Sequence, residues 1–297
     1  MNIHLIEHNS IDKRKYDSCI EKSNYCRIYA LSWYLDTVAP RWKLLATEDY
    51  SYVMPLPIKR KWGIPYLLTP YLSQQLGLFS VEEITIDILQ QFLERIKVPY
   101  CILSLNPGNI FPVEGLQESL NYILPLKYDY PKLKEHYNSN TLNDLKKIAG
   151  YNLFYDKGVD VESFFNAIKK DSVHYSDELF PWVEKVTQKS LSKDSALLRA
   201  VRKTPDSEII AVALFLFFKD RFYYMANVSS KEGRSFRAMR FLVDQFIQEN
   251  ADTGRVLDFE GSSIASVAQF YKGFGAALEA YPKYTKKSFP FFSQIRF

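Results

Sequence analysis

Residues 256–276 read VLDFEGSSIASVAQFYKGFGA, and this stretch decides the fold class that we predict. It begins as a short strand in which apolar residues alternate with the two carboxylates Asp258 and Glu260. Gly261 breaks the strand, apolar residues then recur at helical spacing, and a second strand over residues 277–285 follows the glycines that end the helix. Acidic side chains at a strand end, directly before a helix, lie where open α/β sheets usually bind ligands. The stretch therefore predicts a strand–helix–strand unit and the position of a site.

The composition describes a well-packed globular protein with two domains. At 297 residues the chain exceeds the usual size of a single core, and 47% of its residues are hydrophobic and 15% aromatic. The net charge of +4 permits contact with phosphates. It does not reach the strong basic excess of a dedicated nucleic-acid-binding protein, so we do not place the chain in that class.

Cysteine content and hydropathy predict a cytoplasmic protein. The three cysteines, Cys19, Cys26 and Cys101, form an odd set without metal-ligand spacing, which suits a reducing compartment. The first residues, MNIHLIEHNSIDKRK, lack the apolar segment of a signal peptide, and no stretch approaches the roughly 20 apolar residues of a membrane span. We therefore expect no membrane span. We expect no metal site either, and the sequence has no Ser-His-Asp pattern and no glycine-rich nucleotide loop.

The two halves of the chain repeat one order of predicted elements: helices, a strand hairpin, a long helix, a strand, a short helix and a strand. Repeated order without obvious sequence identity indicates a structural duplication, with chance similarity among α/β chains as the alternative. We predict domains at residues 1–132 and 133–297, each a mixed, twisted sheet flanked by helices. The matching hairpin, helix and strand are residues 42–58, 81–96 and 100–105 in the first half, and residues 209–228, 235–250 and 256–260 in the second.

This element order resembles that of the GNAT-type N-acyltransferases. The tandem arrangement, with a strand reading LDFEGS before a helix ending in KGFGA, resembles the Fem-type peptidoglycan bridge aminoacyltransferases and, more closely, a Fem-related group of uncharacterised Bacteroidetes proteins. Three further segments are similar to this group: residues 42–80 to its first hairpin and loop, residues 140–150 to the basic helix that opens its second domain, and residues 229–247 to its acyl-donor loop. The resemblance implies an α/β fold of two tandem GNAT-like (acyl-CoA N-acyltransferase) domains.

The resemblance also implies transfer of an acyl or aminoacyl group to an amine of a small molecule or cell-wall precursor. Fem-type enzymes take the group from aminoacyl-tRNA, whereas most single-domain GNAT enzymes use acyl-CoA. The CoA class carries an Arg/Gln-x-x-Gly-x-Gly/Ala loop, whose amides hold the pyrophosphate. The corresponding stretch here is KEGRSFRA, in which Phe236 and Arg237 replace small residues. Acyl-CoA and aminoacyl-tRNA both stay open as donors, and tRNA stays open as a partner.

The candidate site residues form three groups. Asp258 and Glu260 would orient or deprotonate the attacking amine; alternatively, one acid caps the following helix and the other pairs with Arg or Lys across the sheet. A second group would contact the donor, although it could equally be an ordinary connection between hairpin and helix: Ser230, Lys231, Gly233, Arg234 and Ser235. A third group would contact substrate, although its glutamines could instead bond loop backbone: Tyr66, Gln74, Gln75, Ser262 and Tyr271.

Three functions follow as hypotheses from these residues and the resemblance. The leading one is an N-acyltransferase of the tandem GNAT, Fem-related kind. The second is a CoA-dependent GNAT acetyltransferase, which CoA binding would identify. The third is a binding protein that keeps the fold without the chemistry, which aromatic side chains filling the cleft, such as Phe236, Phe270 and Tyr271, would favour.

Overall fold

The computed structural model describes residues 1–171, 178–261 and 264–288. Internal contacts divide the chain into two compact units. The first unit holds Met1–Ser119 together with the described part of Ala280–Phe297, and the second holds Leu120–Glu279. Our domain boundary between residues 132 and 133 stays a prediction; it falls inside the second of these units.

The first 115 residues form a strand-rich segment with three helices. Short 3₁₀ turns at His8–Ser10, Ile28–Ala30 and Pro107–Asn109 connect the elements. In chain order the elements are β1 (Ile3–Ile6), α1 (Lys13–Lys22), α2 (Ser32–Val38), β2 (Lys43–Thr47), β3 (Tyr52–Leu56), β4 (Ile58–Lys61), β5 (Ile64–Leu68), β6 (Phe79–Ser80), α3 (Ile86–Glu94) and β7 (Tyr100–Ser104).

The rest of the chain continues this alternation of strands and helices. Its elements are β8 (Leu116–Pro125), α4 (Tyr130–Lys134), α5 (Ser139–Ala149), β9 (Phe154–Asp156), α6 (Val161–Asp171), α7 (Phe180–Leu191), β10 (Ala196–Arg202), β11 (Ile209–Phe218), β12 (Arg221–Ser229), α8 (Lys231–Ser235), α9 (Ala238–Glu249), β13 (Val256–Asp258), α10 (Ala265–Lys272) and β14 (Ala277–Lys287). None of the helices in the described ranges is long and apolar enough to cross a membrane.

Each unit contains parallel and antiparallel pairs, so the predicted mixed α/β class is confirmed. In the first unit β1, β2, β3 and β6 form one sheet. A second set there pairs β4 with β5 antiparallel, β5 with β7 parallel, and β7 antiparallel with residues 283–287 of β14. In the second unit the strand order is β8, β13, β12, β11, β10, β9, and only the β12–β13 pair in this set is parallel.

The core of the second unit follows from the apolar hairpin and the amphipathic helix that the sequence predicts. Strands β11 and β12 turn at Lys219, whose φ of 53° is the left-handed conformation that a tight hairpin needs. Helix α9 places its buried face against them, with the ring of Phe246 stacked on Phe215 at 3.6 Å between centroids. The predicted helix over residues 235–250 is interrupted near its start, because Arg237 adopts a φ of 55° and separates α8 from α9. This core holds β12 and β13 in place beside the candidate site.

Candidate functional site

Asp258 ends β13 and is fully buried. Arg221 Nη1 donates to its Oδ2 at 2.7 Å, and Asn121 Nδ2 donates to its Oδ1 at 2.9 Å. The backbone amide of Glu260 donates to the same Oδ1 at 2.8 Å. Both oxygens of this carboxylate are therefore engaged. The across-sheet pairing that the sequence left open as the alternative is the geometry found for Asp258.

Arg221 joins Asp258 to a second carboxylate, that of Glu279. Its Nη2 donates to Glu279 Oε1 at 2.8 Å and its Nη1 to Oε2 at 3.0 Å, a two-pronged arrangement that suits a guanidinium. Burial by itself would lower the pKa of Arg221, but the carboxylates of Asp258 and Glu279 outweigh it and raise that pKa. Arg221 is thus a fixed positive charge that holds two acids of the second unit together.

Glu260 lies in the turn after β13 rather than on a strand. Its φ of 65° and the φ of 63° at Gly261 place two successive residues in the left-handed region. The side chain of Glu260 is half-buried. Ser262, the third predicted site residue of this turn, lies outside the described residues. The catalytic roles assigned to Asp258 and Glu260 stay predictions, and Asp258 has a structural explanation as well.

Strands β12 and β13 separate soon after they pair. Their parallel pairing extends only from Arg221↔Val256 to Tyr223↔Asp258, while β12 continues to Ser229. The amide of Phe259 instead donates to the Tyr122 carbonyl at 2.9 Å, so the chain leaves β12 in favour of β8. Such a divergence between parallel strands is the kind of opening in which α/β folds hold ligands.

A β-bulge lies on β12 at the level where the strands diverge. Leu214 pairs with Ala226 but Phe215 pairs with Tyr224, which leaves Met225 as the extra residue. A bulge leaves the extra residue unpaired in the ladder and bends its strand, and bulges are often found next to active sites. The bulge was not visible in the sequence, because it depends on the register with β11.

An aromatic cluster joins β12, the residue after β13 and α10. The ring of Tyr271 stacks on Phe259 at 4.6 Å between centroids and meets Tyr224 edge-on at 6.4 Å. Tyr271 is 7% exposed, so little of its surface reaches solvent. Phe270 and Phe236 are half-buried around the same core. Tyr271, predicted to contact substrate, is thus part of an aromatic cluster, and its ligand role stays a prediction.

The predicted donor loop folds into the five-residue helix α8. Ser230 caps this helix, because its Oγ accepts from the Gly233 amide at 2.9 Å. Arg234 Nη1 donates to the Ser229 carbonyl at 2.6 Å, and the Ser235 hydroxyl donates to the Glu232 carbonyl at 2.7 Å. The loop therefore satisfies several of its own polar groups. Lys231, the remaining predicted donor contact, is exposed.

Gly233 is where α8 approaches β11 most closely. A Cβ at this position would overlap the carbonyl oxygen of Ile210 and lie 2.6 Å from Ser229 Oγ. Glycine is thus required here for packing. The donor contact predicted for Gly233 stays a prediction, and the packing explains the glycine without it.

A polar cleft of about 500 Å³ lies between α5, α9 and α10 of the second unit. The side chains around it are mostly amides and charged groups, which can donate and accept hydrogen bonds. Of its lining, the sequence indicated the basic character of α5, which includes Lys147, and the aromatic Phe270, but not the amides. The cleft is lined by Asn138, Asn140, Asn143, Asp144, Lys147, Arg240, Ser266, Gln269 and Phe270.

Arg240 is the half-buried cation of this polar cleft. Its Nε lies 3.3 Å from Asp144 Oδ2, its Nη1 donates to Thr141 Oγ1 at 2.6 Å, and its guanidinium lies 5.2 Å from the Phe270 ring centroid. Burial lowers the pKa of Arg240, more than the nearby Asp144 raises it. Arg237 also pairs with Asp144, at 2.7 Å, so one carboxylate faces two guanidinium groups. An anionic ligand would add the negative charge that this pair of arginines lacks.

The predicted glutamines of the first unit are core residues. Gln75 is fully buried, and its Oε1 accepts from Arg27 Nε at 2.8 Å. Its Nε2 donates to Gln74 Oε1 at 2.7 Å. Tyr66 does not share this cluster; it lines a separate, basic groove of the first unit. The substrate contacts assigned to these three residues stay predictions; all three belong to the first unit, whereas the polar cleft belongs to the second.

The strand–helix–strand order and the divergence of β12 from β13 agree with the tandem GNAT-type fold that the sequence predicts. Among solved structures, FemX aligns with 99% of this chain over 100% of its own, with a TM-score of 0.67 and 14% identity. The C-terminal domain of a putative lysylphosphatidylglycerol synthetase from Agrobacterium fabrum aligns with 93% of this chain over 92% of its own, at a TM-score of 0.58 and 12% identity. A tandem GNAT protein from the clavulanic acid biosynthesis pathway aligns with 97% of this chain over 99% of its own, at a TM-score of 0.52 and 8% identity.

These likenesses confirm the predicted fold. No family model matches the chain, and no curated protein matches it in sequence. The closer resemblance to a Bacteroidetes group stays a prediction. At identities of this size, activity, donor and acceptor do not transfer with the fold.

Proposed function

We propose that this protein is an N-acyltransferase that transfers an acyl or aminoacyl group from an activated ester to an amine. The donor binds in the polar cleft of the second unit, with its reactive carbonyl directed toward the divergence of β12 and β13. The observation that carries the proposal is the cleft itself, because a half-buried arginine and a wall of amide side chains suit a phosphate-bearing, amide-rich or nucleoside-like donor. The acceptor, a small molecule or cell-wall precursor with a free amine, follows from the resemblance to Fem-type enzymes.

In the reaction the neutral amine attacks the ester carbonyl, a C–N bond forms, and the bond from carbonyl carbon to the leaving oxygen or sulfur breaks. The amine loses one proton, which passes to the leaving group or to solvent. Asp258 is poorly suited to remove that proton, because its two oxygens already accept from Arg221, Asn121 and the Glu260 amide. Holding the two reactants together supplies the rate enhancement instead, as activated esters allow.

An aminoacyl ester of tRNA fits this chain better than acyl-CoA. CoA-binding loops need free backbone amides at the start of the helix that follows the loop. Here the Gly233 amide is already bonded to Ser230 Oγ, and Gly233 packs against the Ile210 carbonyl. Arg240 and Lys147 on the cleft supply positive charge for the backbone of a tRNA acceptor end.

Titration calorimetry with CoA, acetyl-CoA and aminoacyl-tRNA tests this proposal directly. We expect aminoacyl-tRNA to bind and CoA not to bind. Lys147→Gln should weaken tRNA binding several-fold and reduce its salt dependence, because one phosphate contact is lost. Lys189→Gln, an equally exposed lysine on α7, is the matched control and should leave the affinity unchanged. Tight CoA binding that Lys147→Gln does not weaken would overturn the assignment of the donor.

A binding protein without acyl transfer is the second candidate, because Tyr224 of β12, Phe259 after β13 and Tyr271 of α10 pack their rings on one another, as expected for a site filled by aromatic side chains. Transfer of a labelled aminoacyl group from tRNA to amines distinguishes the two candidates. Binding of tRNA at Lys147 without any transfer over a panel of amines would favour the binding protein.

A further inference from the structure

The β4–β5 hairpin of the first unit exposes a tryptophan in a strained conformation. The pair Lys61↔Ile64 closes a two-residue turn made by Trp62 and Gly63, whose φ values are 52° and 80°. Two positive φ values define a type I′ turn, in which the first position favours Asn, Asp or Gly. A bulky residue there pays a steric cost, yet Trp62 is 77% exposed. Because burial does not offset this strain, the fold alone does not explain the choice of residue.

The surroundings of Trp62 combine apolar and basic side chains. Ile64, next in the hairpin, is 37% exposed, and Leu5 of β1, which lines a groove together with Arg60 of the hairpin, is 53% exposed. Lys61 lies over the Trp62 ring at 5.2 Å from its centroid. Arg60 donates to the Gly63 carbonyl at 2.9 Å and so supports the turn. The tip of the hairpin is thus an apolar pair, Trp62 and Ile64, directly beside cations.

A groove of about 1180 Å³ continues from the hairpin along the first unit. Glu7 is the only carboxylate among the described residues that line it, and it pairs with Lys43 at 2.5 Å. Among the described residues, no carboxylate forms an ion pair with Arg41, Lys59, Arg95 or Lys97. Burial lowers the pKa of Lys59, which marks a cation that an anionic surface would stabilise. The six cations lining the groove are Arg41, Lys43, Lys59, Arg60, Arg95 and Lys97.

A purely structural explanation covers only part of this surface. Strand β4 lies at the end of its strand order, and charged side chains on an edge strand prevent pairing with other chains. That accounts for the lysines and Arg60, but not for an exposed indole at a position that favours Asn or Gly. A tryptophan and an aliphatic residue flanked by cations match the composition of segments that enter the interface of an anionic bilayer.

We propose that the β4–β5 hairpin and its basic groove dock the protein onto the surface of an anionic membrane. Trp62 and Ile64 enter the headgroup region, while the groove cations face the lipid phosphates. A membrane is favoured over single-stranded RNA, because Ile64 and Leu5 offer no stacking surface for bases but bury apolar area in lipid. The docking is independent of the proposed acyl transfer and places the first unit against the bilayer.

Co-sedimentation of the full chain with vesicles tests the docking. We compare phosphatidylcholine vesicles with vesicles in which phosphatidylglycerol replaces part of that lipid, and expect binding only to the second kind, weakened by added salt. Trp62→Asn should weaken binding about tenfold, while its turn becomes the preferred Asn-Gly sequence and folding is preserved. The triple variant Arg41→Gln, Arg95→Gln, Lys97→Gln should weaken it by about tenfold or more.

The matched control removes three exposed lysines from the second unit: Lys185→Gln, Lys189→Gln and Lys193→Gln. It should bind anionic vesicles like the unmodified protein. Absence of vesicle binding, or equal loss in the control and in the groove variant, would overturn the proposal. So would binding of a single-stranded RNA, instead of vesicles, that depends on Trp62. Release of the protein from vesicles by a low concentration of inorganic pyrophosphate would assign the groove to a small anion, and this result would also overturn the proposal.

Discussion

Arg221 and Asp258 lie on neighbouring parallel strands and form a 2.7 Å ion pair in the interior of the second unit. Asp258 is completely buried, and Arg221 also holds Glu279. Removing Asp258 would leave Arg221 paired with Glu279, but it would deprive buried donors of their acceptor, which costs more than the hydrogen bonds themselves contribute. The acid that the sequence places at the end of a strand is therefore bound into the sheet.

The Asp258→Ala variant should lose about 1–3 kcal/mol of unfolding free energy, because buried donors lose their acceptor. The substitution leaves Arg221 paired with Glu279. It leaves Asn121 Nδ2 with the longer 3.4 Å contact to Glu279 Oε2, and it removes the side-chain acceptor of the Glu260 backbone amide. Urea denaturation measures the change. Asp220→Ala, one residue before Arg221 but exposed, should change the free energy by no more than about 0.5 kcal/mol. If Asp258→Ala proved as stable as the control, Asp258 would return to the candidates for catalysis.

The Gly233→Ala variant should be destabilised by about 1–3 kcal/mol, because the added methyl group would overlap the Ile210 carbonyl. Thermal denaturation gives the change in stability. Gly150→Ala is the control, since its added Cβ would lie 3.5 Å from the nearest atom, the Lys147 carbonyl oxygen. An unaffected melting temperature for Gly233→Ala would show that the loop is loosely packed and would favour its use as a donor site.

The Trp62→Asn variant should gain about 0.5–1 kcal/mol of unfolding free energy, because Asn tolerates the left-handed conformation that costs Trp energy. The exposed indole loses little packing when it is replaced. Urea denaturation of Trp62→Asn beside Trp62→Ala separates the conformational effect from loss of the side chain. A destabilised Asn variant would mean that the Trp62 ring supports the hairpin and that the left-handed conformation does not strain it.

The thiols of Cys19 and Cys101 should resist modification in the native protein. Burial raises the pKa of each thiol to about 12, so almost no thiolate is present at pH 8. Cys26 is less buried and should react first with a disulfide reagent. Counting the thiols that react before and after adding urea checks this order. Rapid native labelling of Cys101 would contradict its burial.

The same two raised pKa values predict a loss of stability at high pH. Folding favours the neutral thiols, so their contribution is fully present below the ordinary thiol pKa of 9.0 and is lost as the pH rises toward about 12. The loss of stability is measured as the difference between the unfolding free energies at neutral and at alkaline pH, for the unmodified protein and for Cys101→Ala. The alkaline loss should be smaller in the variant; an equal loss would assign it to other groups.

The sequence predicted the elements whose signal is local. The β11–β12 hairpin followed from two apolar runs around Lys219 and Asp220, and α9 from apolar residues at helical spacing. The break at Arg237 was not predicted, because it depends on neighbouring elements. The bulge at Met225 was not predicted either, because it depends on the register between β11 and β12. The tandem fold was available from the order of elements, which depends on those same local signals.

The candidate site could be predicted only in part. The carboxylates at the end of β13 were found, but their partners were not, since Asn121 is 137 residues from Asp258 and Arg221 is 37 residues away. The amides of the polar cleft belong to segments that meet only after folding, and nothing in their own sequence distinguishes Asn143 or Gln269 from solvated residues. The stretch at the end of β13 could therefore be predicted from the sequence, and the amide lining of the cleft could not.

By itself the sequence determined the kind and order of the elements with strong local signals, because hydrophobic periodicity, glycines and helix caps act over a few residues. The short helix predicted in the first half was wrong, since residues 116–125 form β8. Only the tertiary structure decided which polar groups are joined. It bound Asp258 to Arg221, packed Gly233 against Ile210, and left Trp62 exposed in a strained turn. The physical reason is that the pairing and desolvation of a polar group depend on atoms brought together from distant parts of the chain, and no local pattern carries that information.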